Sequence, residues 1–362
     1  MELFHRILKA AVDGGASDVH IKPNGPVIFR IHQTLLPIEA PTPTNEWVNN
    51  VVDNIVPKHF KKRLDEEREC DFSYFVPGIG RFRTNCFQQR GEWCLAMRYV
   101  KARIPEFEEL GLLPIVKKIA ESPRGIVLVA GATGSGKSTT LAAMVQHINT
   151  TSASHIITLE DPIEFVFDDA KSTIEQREVG LDTASFNQGL KHILRQDPDV
   201  IMIGEMRDAT SFSAAMSCAD TGHLVISTIH TTNASQSVSR VLEFFKADER
   251  EQVRKQLAAT LQAVVCQRMV PKIGGGVIPA LEILINSGTV RKMIEENRLE
   301  KLGNAITASR DDGMQDFNQA LFDLVKERKV TEKEALANAT NAQALEMNFK
   351  GIFLDEGRRI LS

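Results

Sequence analysis

Two folded regions of different class are predicted by the sequence: an α+β domain with an antiparallel sheet over residues 1–100, and behind it an α/β domain built on a mostly parallel sheet. Three observations carry this. Short alternating strands, several of them separated by Pro or Gly, fill the first hundred residues. Beyond Gly125, apolar strands alternate with helices, the pattern of a parallel sheet covered on both faces. The first of those strands runs into Gly131-Ala-Thr-Gly-Ser-Gly-Lys137-Ser138, which fits the strand-to-helix pattern G-x-x-x-x-G-K-[ST]. Length agrees, since 362 residues at about 150 per domain make two or three domains.

In chain order, Leu3, Phe4, Ile7, Leu8 and Val12 recur at helical spacing and Gly14-Gly15 stops them, so an amphipathic helix is expected over residues 2–13. SDVHIKP, PVIFRIHQTLLPI, CDFSYFVP, RFRTNCFQQ and WCLAMRYV then read as strands, with a charged helical stretch from Thr44 to Glu69 between the second and the third. Pro105, Gly111 and Pro114 break the periodicity and put an interdomain linker at 101–114. After it come the strand GIVLVAGA, the helix STTLAAMVQHINT and the strands HIITLE, DVIMIG and HLVISTIH, a core spanning 115–285. From 286 to 362 the chain reads as helices, among them TVRKMIEENRLEKLGNAI, FNQALFDLVKERK and TEKEALANA.

Composition narrows the function. The chain is 43% hydrophobic and 25% charged, an ordinary folded composition that excludes collagen-like and disordered classes. A net charge of −4 argues against bulk capture of nucleic acid, and two Trp and two Tyr are too few for stacking platforms that bind single strands. The five cysteines, Cys70, Cys86, Cys94, Cys218 and Cys266, are scattered and never spaced Cys-x-x-Cys, so they are expected to be reduced thiols of a cytoplasmic protein. Nothing approaches the roughly 18 consecutive apolar residues of a membrane span, and the first residues lack the apolar region of a signal peptide.

The chemistry centres on the glycine-rich loop. Gly131, Thr133, Gly134, Ser135, Gly136, Lys137, Ser138 and Thr139 lie between an apolar strand and a helix, where backbone N–H groups and a helix N-terminus can cradle a polyphosphate. Lys137 can reach the β- and γ-phosphates and the Ser138 hydroxyl can ligate Mg²⁺, so ATP and Mg²⁺ are the expected cofactors. The four fixed positions arise by chance in about one chain of this length per hundred, and the strand and helix context lowers that further.

A second strand, DVIMIG, ends at Glu205, where a carboxylate would meet Mg²⁺ and the attacking water; its plain alternative is a solvated turn acid. Glu160 ends HIITLE and can position water or metal, while Asp161 and Glu164 read almost equally well as a charged loop start. His230 follows the strand LVISTI at the end expected to face the ligand, a place for a γ-phosphate sensor, although a lone His more often has a structural role. His223 precedes the same strand and must act from another side or on another subunit.

Together GATGSGKST, ITLEDPIEF, the run QREVGLDTASFNQGLKHILRQDPDVIMIGEMRD and TGHLVISTIHT resemble the secretion-ATPase superfamily, in particular the PilT-like retraction ATPases of type IV pili. The likeness runs from GASDVHI to GMQDFNQAL, and its four blocks fall on Gly131 to Thr139, Thr158 to Glu164, Asp199 to Asp208 and Thr221 to His230. It implies a RecA-like motor domain behind a PAS-like N-terminal domain, with a C-terminal helical extension, assembled as a homohexamer with ATP at subunit interfaces. It further implies that arginines of the N-terminal domain touch the phosphates, and Arg81, Arg83 and Arg98 match those positions. Arg81 and Arg83 alternate along one strand and so share a face; a solvated edge strand is the plainer explanation. The family's extension ATPases carry an additional N-terminal region and a tetracysteine zinc motif, neither of which is found here. Where retraction ATPases write Ala-Ile-Arg-Ala-Gly-Leu, this chain has Thr289-Val-Arg291-Lys-Met-Ile, and GMQDFNQALFDLVKERKVTEKEALANA also resembles the accessory PilU branch.

The expected function is therefore an ATP hydrolase that powers pilus retraction through rotation of its two domains about the 101–114 linker. Its expected partners are other copies of the chain, an inner-membrane platform protein and a paralogous retraction ATPase, with no nucleic acid. The alternatives are an accessory PilU-like paralogue, a P-loop kinase with a lid and an acceptor pocket, and a nucleotide-gated adaptor with little turnover. Lys137 and Glu205 argue against the adaptor.

Overall fold

The computed structural model describes residues 1–100 and 103–352, so the first two residues of the expected linker and the last ten of the C-terminal extension lie outside the described residues. The chain divides into two compact units, the first Met1–Arg103 with Asp161–Phe167 and Glu178–Thr183, the second everything else.

In the first unit, helix α1 (Glu2–Asp13) is followed by strands β1 (Asp18–Ile21), β2 (Ile28–Ile31) and β3 (Thr34–Pro37). Helices α2 (Asn45–Ile55) and α3 (Lys58–Glu67) and strands β4 (Glu69–Val76), β5 (Gly80–Gln89) and β6 (Glu92–Val100) complete it. The sheet has the order β3-β2-β1-β6-β5-β4, with every adjacent pair antiparallel. The expected strand PVIFRIHQTLLPI is two strands, because His32 and Gln33 both take positive φ and make a two-residue turn whose twist suits a hairpin. The helical stretch 44–69 is likewise two helices, since Pro57 cannot donate within a continuing helix. Thr44 caps α2 by accepting from the Trp47 N–H. Phe4, Ile7, Leu8 and Ala11 form the buried stripe of α1. Phe4 meets the Trp47 and Tyr74 rings at centroid distances of 6.3 and 5.8 Å, within one apolar core that also takes Val48, Phe72, Phe82 and Met97.

The second unit begins with short helices α4 (Phe107–Leu110) and α5 (Pro114–Ala120), which occupy part of the expected linker. The alternation follows: β7 (Gly125–Ala130), α6 (Lys137–Thr151), β8 (His155–Glu160), β9 (Thr173–Glu178), α7 (Phe186–Ile193), β10 (Val200–Ile203), α8 (Ala209–Asp220) and β11 (Leu224–Ile229). Then come α9 (Ala234–Glu243), α10 (Arg250–Thr260), β12 (Leu261–Pro271) and β13 (Val277–Ile285). The sheet order is β13-β12-β7-β11-β10-β8-β9, parallel from β12 to β8 with β13 antiparallel at one edge. Every residue of β7, β10 and β11 is buried, which requires cover on both faces. Strands β9, β12 and β13 are additional to those expected.

The C-terminal helices are α11 (Gly288–Glu295), α12 (Leu302–Ala308), α13 (Phe317–Lys326), α14 (Glu332–Asn338) and α15 (Ala342–Phe349). The stretch expected as one helix over 289–306 is broken at Asn297, whose φ is +58°. Among the described residues no helix is long and apolar enough to cross a membrane, and all five cysteines are buried free thiols.

Candidate nucleotide site

Parallel strands deliver their C-terminal ends to one edge of the sheet, and the order β12-β7-β11-β10-β8 decides which groups become neighbours there. The glycine-rich loop follows β7, His230 follows β11, Glu205 lies two residues after β10 and Glu160 ends β8. His230 is thus placed between the loop and Glu205 by strand order alone.

The loop has the shape of a cradle. A Cβ on Gly131 would come within 2.3 Å of the Ser135 Oγ, and one on Gly136, whose φ is +84°, within 2.8 Å of Gln267 Nε2. Gly136 is the N-cap of α6, and no side chain caps that helix, so its first turn is available to an anion. The Ser135 Oγ is buried without a hydrogen-bond partner. Thr133 and Gly134 form the exposed crest, and Ser138 and Thr139 are half-buried in the first turn. These features fit a bound polyphosphate, and Ser138 is the first-turn hydroxyl that would hold a divalent cation accompanying it.

Lys137 is 8% exposed, and its Nζ donates to the Gly131 and Ala132 carbonyls at 3.0 and 2.9 Å. It also lies 3.5 Å from His230 Nδ1, while His230 Nε2 is 3.2 Å from Glu205 Oε1. An ammonium has no lone pair to offer, so Nδ1 must accept from Lys137 and the imidazole proton belongs on Nε2, facing the carboxylate. Arg207 Nη2 holds the other Glu205 oxygen at 2.7 Å. Burial raises the Glu205 carboxyl, but Arg207 and His230 outweigh it and hold the group below the usual carboxylate range. Glu205 is therefore an anion that can align a water rather than a strong base.

Glu160 is 5% exposed and accepts from the Thr158 hydroxyl at 2.7 Å and from Gln176 Nε2 at 3.1 Å. His223 does not join this row. It sits at the other end of β11, where its Nδ1 meets the Thr221 hydroxyl at 3.0 Å and the Cys218 carbonyl at 2.9 Å. Among the described residues no group of three or more His, Cys, Asp and Glu could hold a metal by itself.

Arg81, Arg83 and Arg98 belong to the first unit. Arg83 and Arg98 are exposed cross-strand partners on β5 and β6. Arg98 Nε donates to Asp18 on β1 at 2.9 Å. Arg81 is half-buried, with Nη1 3.3 Å from Glu178 Oε2, which also accepts from the Ser73 hydroxyl at 2.7 Å and the Ile163 N–H at 3.2 Å. Sequence reasoning missed Glu178 and Gln267. Glu178 stands in the QREVG run that carried the resemblance, and Gln267 is a polar residue in the apolar run LQAVVCQRMV, which is the one available signal for it.

The phosphate loop and the row of groups on consecutive strand ends define a P-loop ATPase fold. The chain belongs to the type II/IV secretion system protein family, whose model matches residues 1–336. It is 39% identical over 333 residues to the type IV pilus retraction ATPase PilT of Pseudomonas aeruginosa, covering 92% of this chain and 97% of that one. It is 38% identical over 348 residues to the type IV pilus ATPase PilU of the same organism, covering 96% and 91%. A twitching motility protein of Neisseria gonorrhoeae is 41% identical over 319 residues, covering 88% and 85%. In structure it matches the pilus retraction motor PilT with bound ADP at a TM-score of 0.87 and 41% identity, covering 94% and 98%. It also matches the Legionella pneumophila ATPase DotB at a TM-score of 0.81 and 25% identity, covering 97% and 96%. The chain is PilT-like in sequence and fold, with an N-terminal domain ahead of a parallel-sheet ATPase domain.

Proposed function

We propose that this protein is a Mg²⁺-dependent ATPase motor for type IV pilus retraction, working as a homohexamer on an inner-membrane platform protein. The observation that carries the reading is the chain Lys137–His230–Glu205 beside a phosphate cradle, at the C-terminal edge of a parallel sheet. Phosphoryl transfer to water needs positioning and charge stabilisation more than covalent help. Lys137 balances charge on the β- and γ-phosphates. Glu205 aligns the attacking water, and His230 fixes that carboxylate through Nε2 and couples it through Nδ1 to Lys137, so that the γ-phosphate is sensed by way of the ammonium. Bound Mg²⁺, held by Ser138, supplies further charge neutralisation. Arg81, Arg83 and Arg98 complete the charge clamp from the N-terminal domain, and the movement that brings them in is the work-producing step. The backbone passes between the units at 103/104, 160/161, 167/168, 177/178 and 183/184, so any rotation must be absorbed at those points as well as in the linker.

The similarity to PilU over 96% of the chain favours one second reading, an accessory paralogue that assists a main retraction motor. Deleting the gene separates the two. A main motor leaves cells with excess surface pili and no twitching, whereas an accessory protein leaves twitching reduced but present. Unchanged piliation and motility would contradict both. In the purified protein, Lys137→Ala is expected to abolish nucleotide binding or hydrolysis, and mass photometry should find a six-chain species.

A further inference from the structure

We infer that Gln267 is a positioning residue of the phosphate loop, gripping it from the neighbouring strand so that one of its amides is aimed at the nucleotide. The inference rests on the nucleotide-binding reading and deepens it. On β12, Cys266 pairs with Ala130 of β7, which sets Gln267 beside the start of the loop. The side chain is 3% exposed and uses both ends of its amide. Nε2 donates to the Ser135 carbonyl at 2.6 Å, and Oε1 accepts from the Thr140 hydroxyl on α6 at 2.9 Å. One side chain therefore fixes the loop relative to the helix that follows it.

The same residue explains two of the loop's glycines. A Cβ on Gly131 would fall 2.7 Å from the Gln267 carbonyl, and one on Gly136 2.8 Å from its Nε2, whereas one on Gly134 would meet nothing within 4 Å. Gly131 and Gly136 thus make room for β12 as well as for a ligand. In a trans peptide the C=O and N–H point to opposite sides. Drawing the Ser135 carbonyl toward Gln267 turns the Gly136 N–H away from β12, the orientation a cradle requires. Without the tether that peptide can rotate, and a donor is lost to the phosphate.

The test measures binding of a fluorescent ADP analogue with Mg²⁺, steady-state phosphate release and melting temperature for the wild type, Gln267→Ala, Gln267→Glu and Thr140→Val. Loss of one well-aimed hydrogen bond is expected to weaken nucleotide affinity and raise KM by about tenfold in Gln267→Ala, with kcat at saturation little changed. Gln267→Glu should be worse, because a carboxylate cannot donate to the Ser135 carbonyl and repels it. Thr140→Val, which keeps that donor, should be milder than either. The melting temperature without nucleotide should fall in Gln267→Ala, which leaves the Ser135 carbonyl and the Thr140 hydroxyl unpaired, and its rise on adding nucleotide should shrink as well. Wild-type affinity in Gln267→Ala, with or without a lower melting temperature, would overturn the inference. If Gln267→Ala does not fold, wild-type affinity in both Gln267→Glu and Thr140→Val overturns it instead. A wild type that binds nucleotide but releases no phosphate contradicts the ATPase reading, and the affinity comparison still decides the role of Gln267.

Discussion

Two carboxylates of the ATPase unit are pushed in opposite directions by their surroundings. Glu205 is held below the usual range by Arg207 and His230, against the effect of burial. Burial raises the Glu282 carboxyl on β13 and nearby Asp316 raises it further, while the Ala234 N–H at 2.7 Å and the charge of Arg268 offset this only in part. A carboxyl with a raised folded-state pKa holds its proton more tightly in the native state, so stability falls as pH rises from the unfolded value through the folded one. Glu282→Gln keeps an acceptor for Ala234 and removes the buried charge. It should raise the melting temperature at pH 8 and leave it unchanged near pH 4; a fall at pH 8 would show that the charge is needed. Lys137, Glu205 and His230 could be picked out in the sequence as candidates because Glu205 and His230 follow closely on apolar strands and Lys137 stands inside the glycine-rich motif. Gln267 and Glu178 were hidden because their partners Ser135 and Arg81 lie 132 and 97 residues away.

Among elements, α1 was legible from its spacing alone, and the buried stripe Phe4, Ile7, Leu8 and Ala11 follows from it. Phe4→Ala should cost about 3–5 kcal/mol in unfolding of the first unit, because a fully buried ring leaves a cavity among rigid neighbours. Urea unfolding followed by Trp fluorescence reads this, and a loss under about 1 kcal/mol would mean that the core closes over the gap. The turns at His32-Gln33 and Asn297 were not legible, since positive φ at residues other than Gly leaves little mark on composition. Strand β12 was hidden for another reason. Helix α10 ends at Thr260 and β12 starts at Leu261, with no Gly or Pro between them to announce the change of period.

At the scale of the molecule, the sequence suggested one linker between two consecutive domains. The first unit instead recruits Asp161–Phe167 and Glu178–Thr183 from far along the chain, and Glu178 ties both excursions to Ser73 and Arg81. No local pattern encodes such a tie, because it depends on which strands become neighbours after folding. The candidates at the sheet edge were legible because the glycine-rich loop, Glu160, Glu205 and His230 each end or follow an apolar strand; that His230 falls between the loop and Glu205 depends on the strand order and was not. The central claim, that this edge hydrolyses ATP with Glu205 aligning the water, is tested most directly by steady-state phosphate release from purified wild type and Glu205→Ala, with nucleotide binding measured on both. The predicted result is turnover by the wild type and none by a variant that still binds nucleotide; unchanged phosphate release from Glu205→Ala would contradict it.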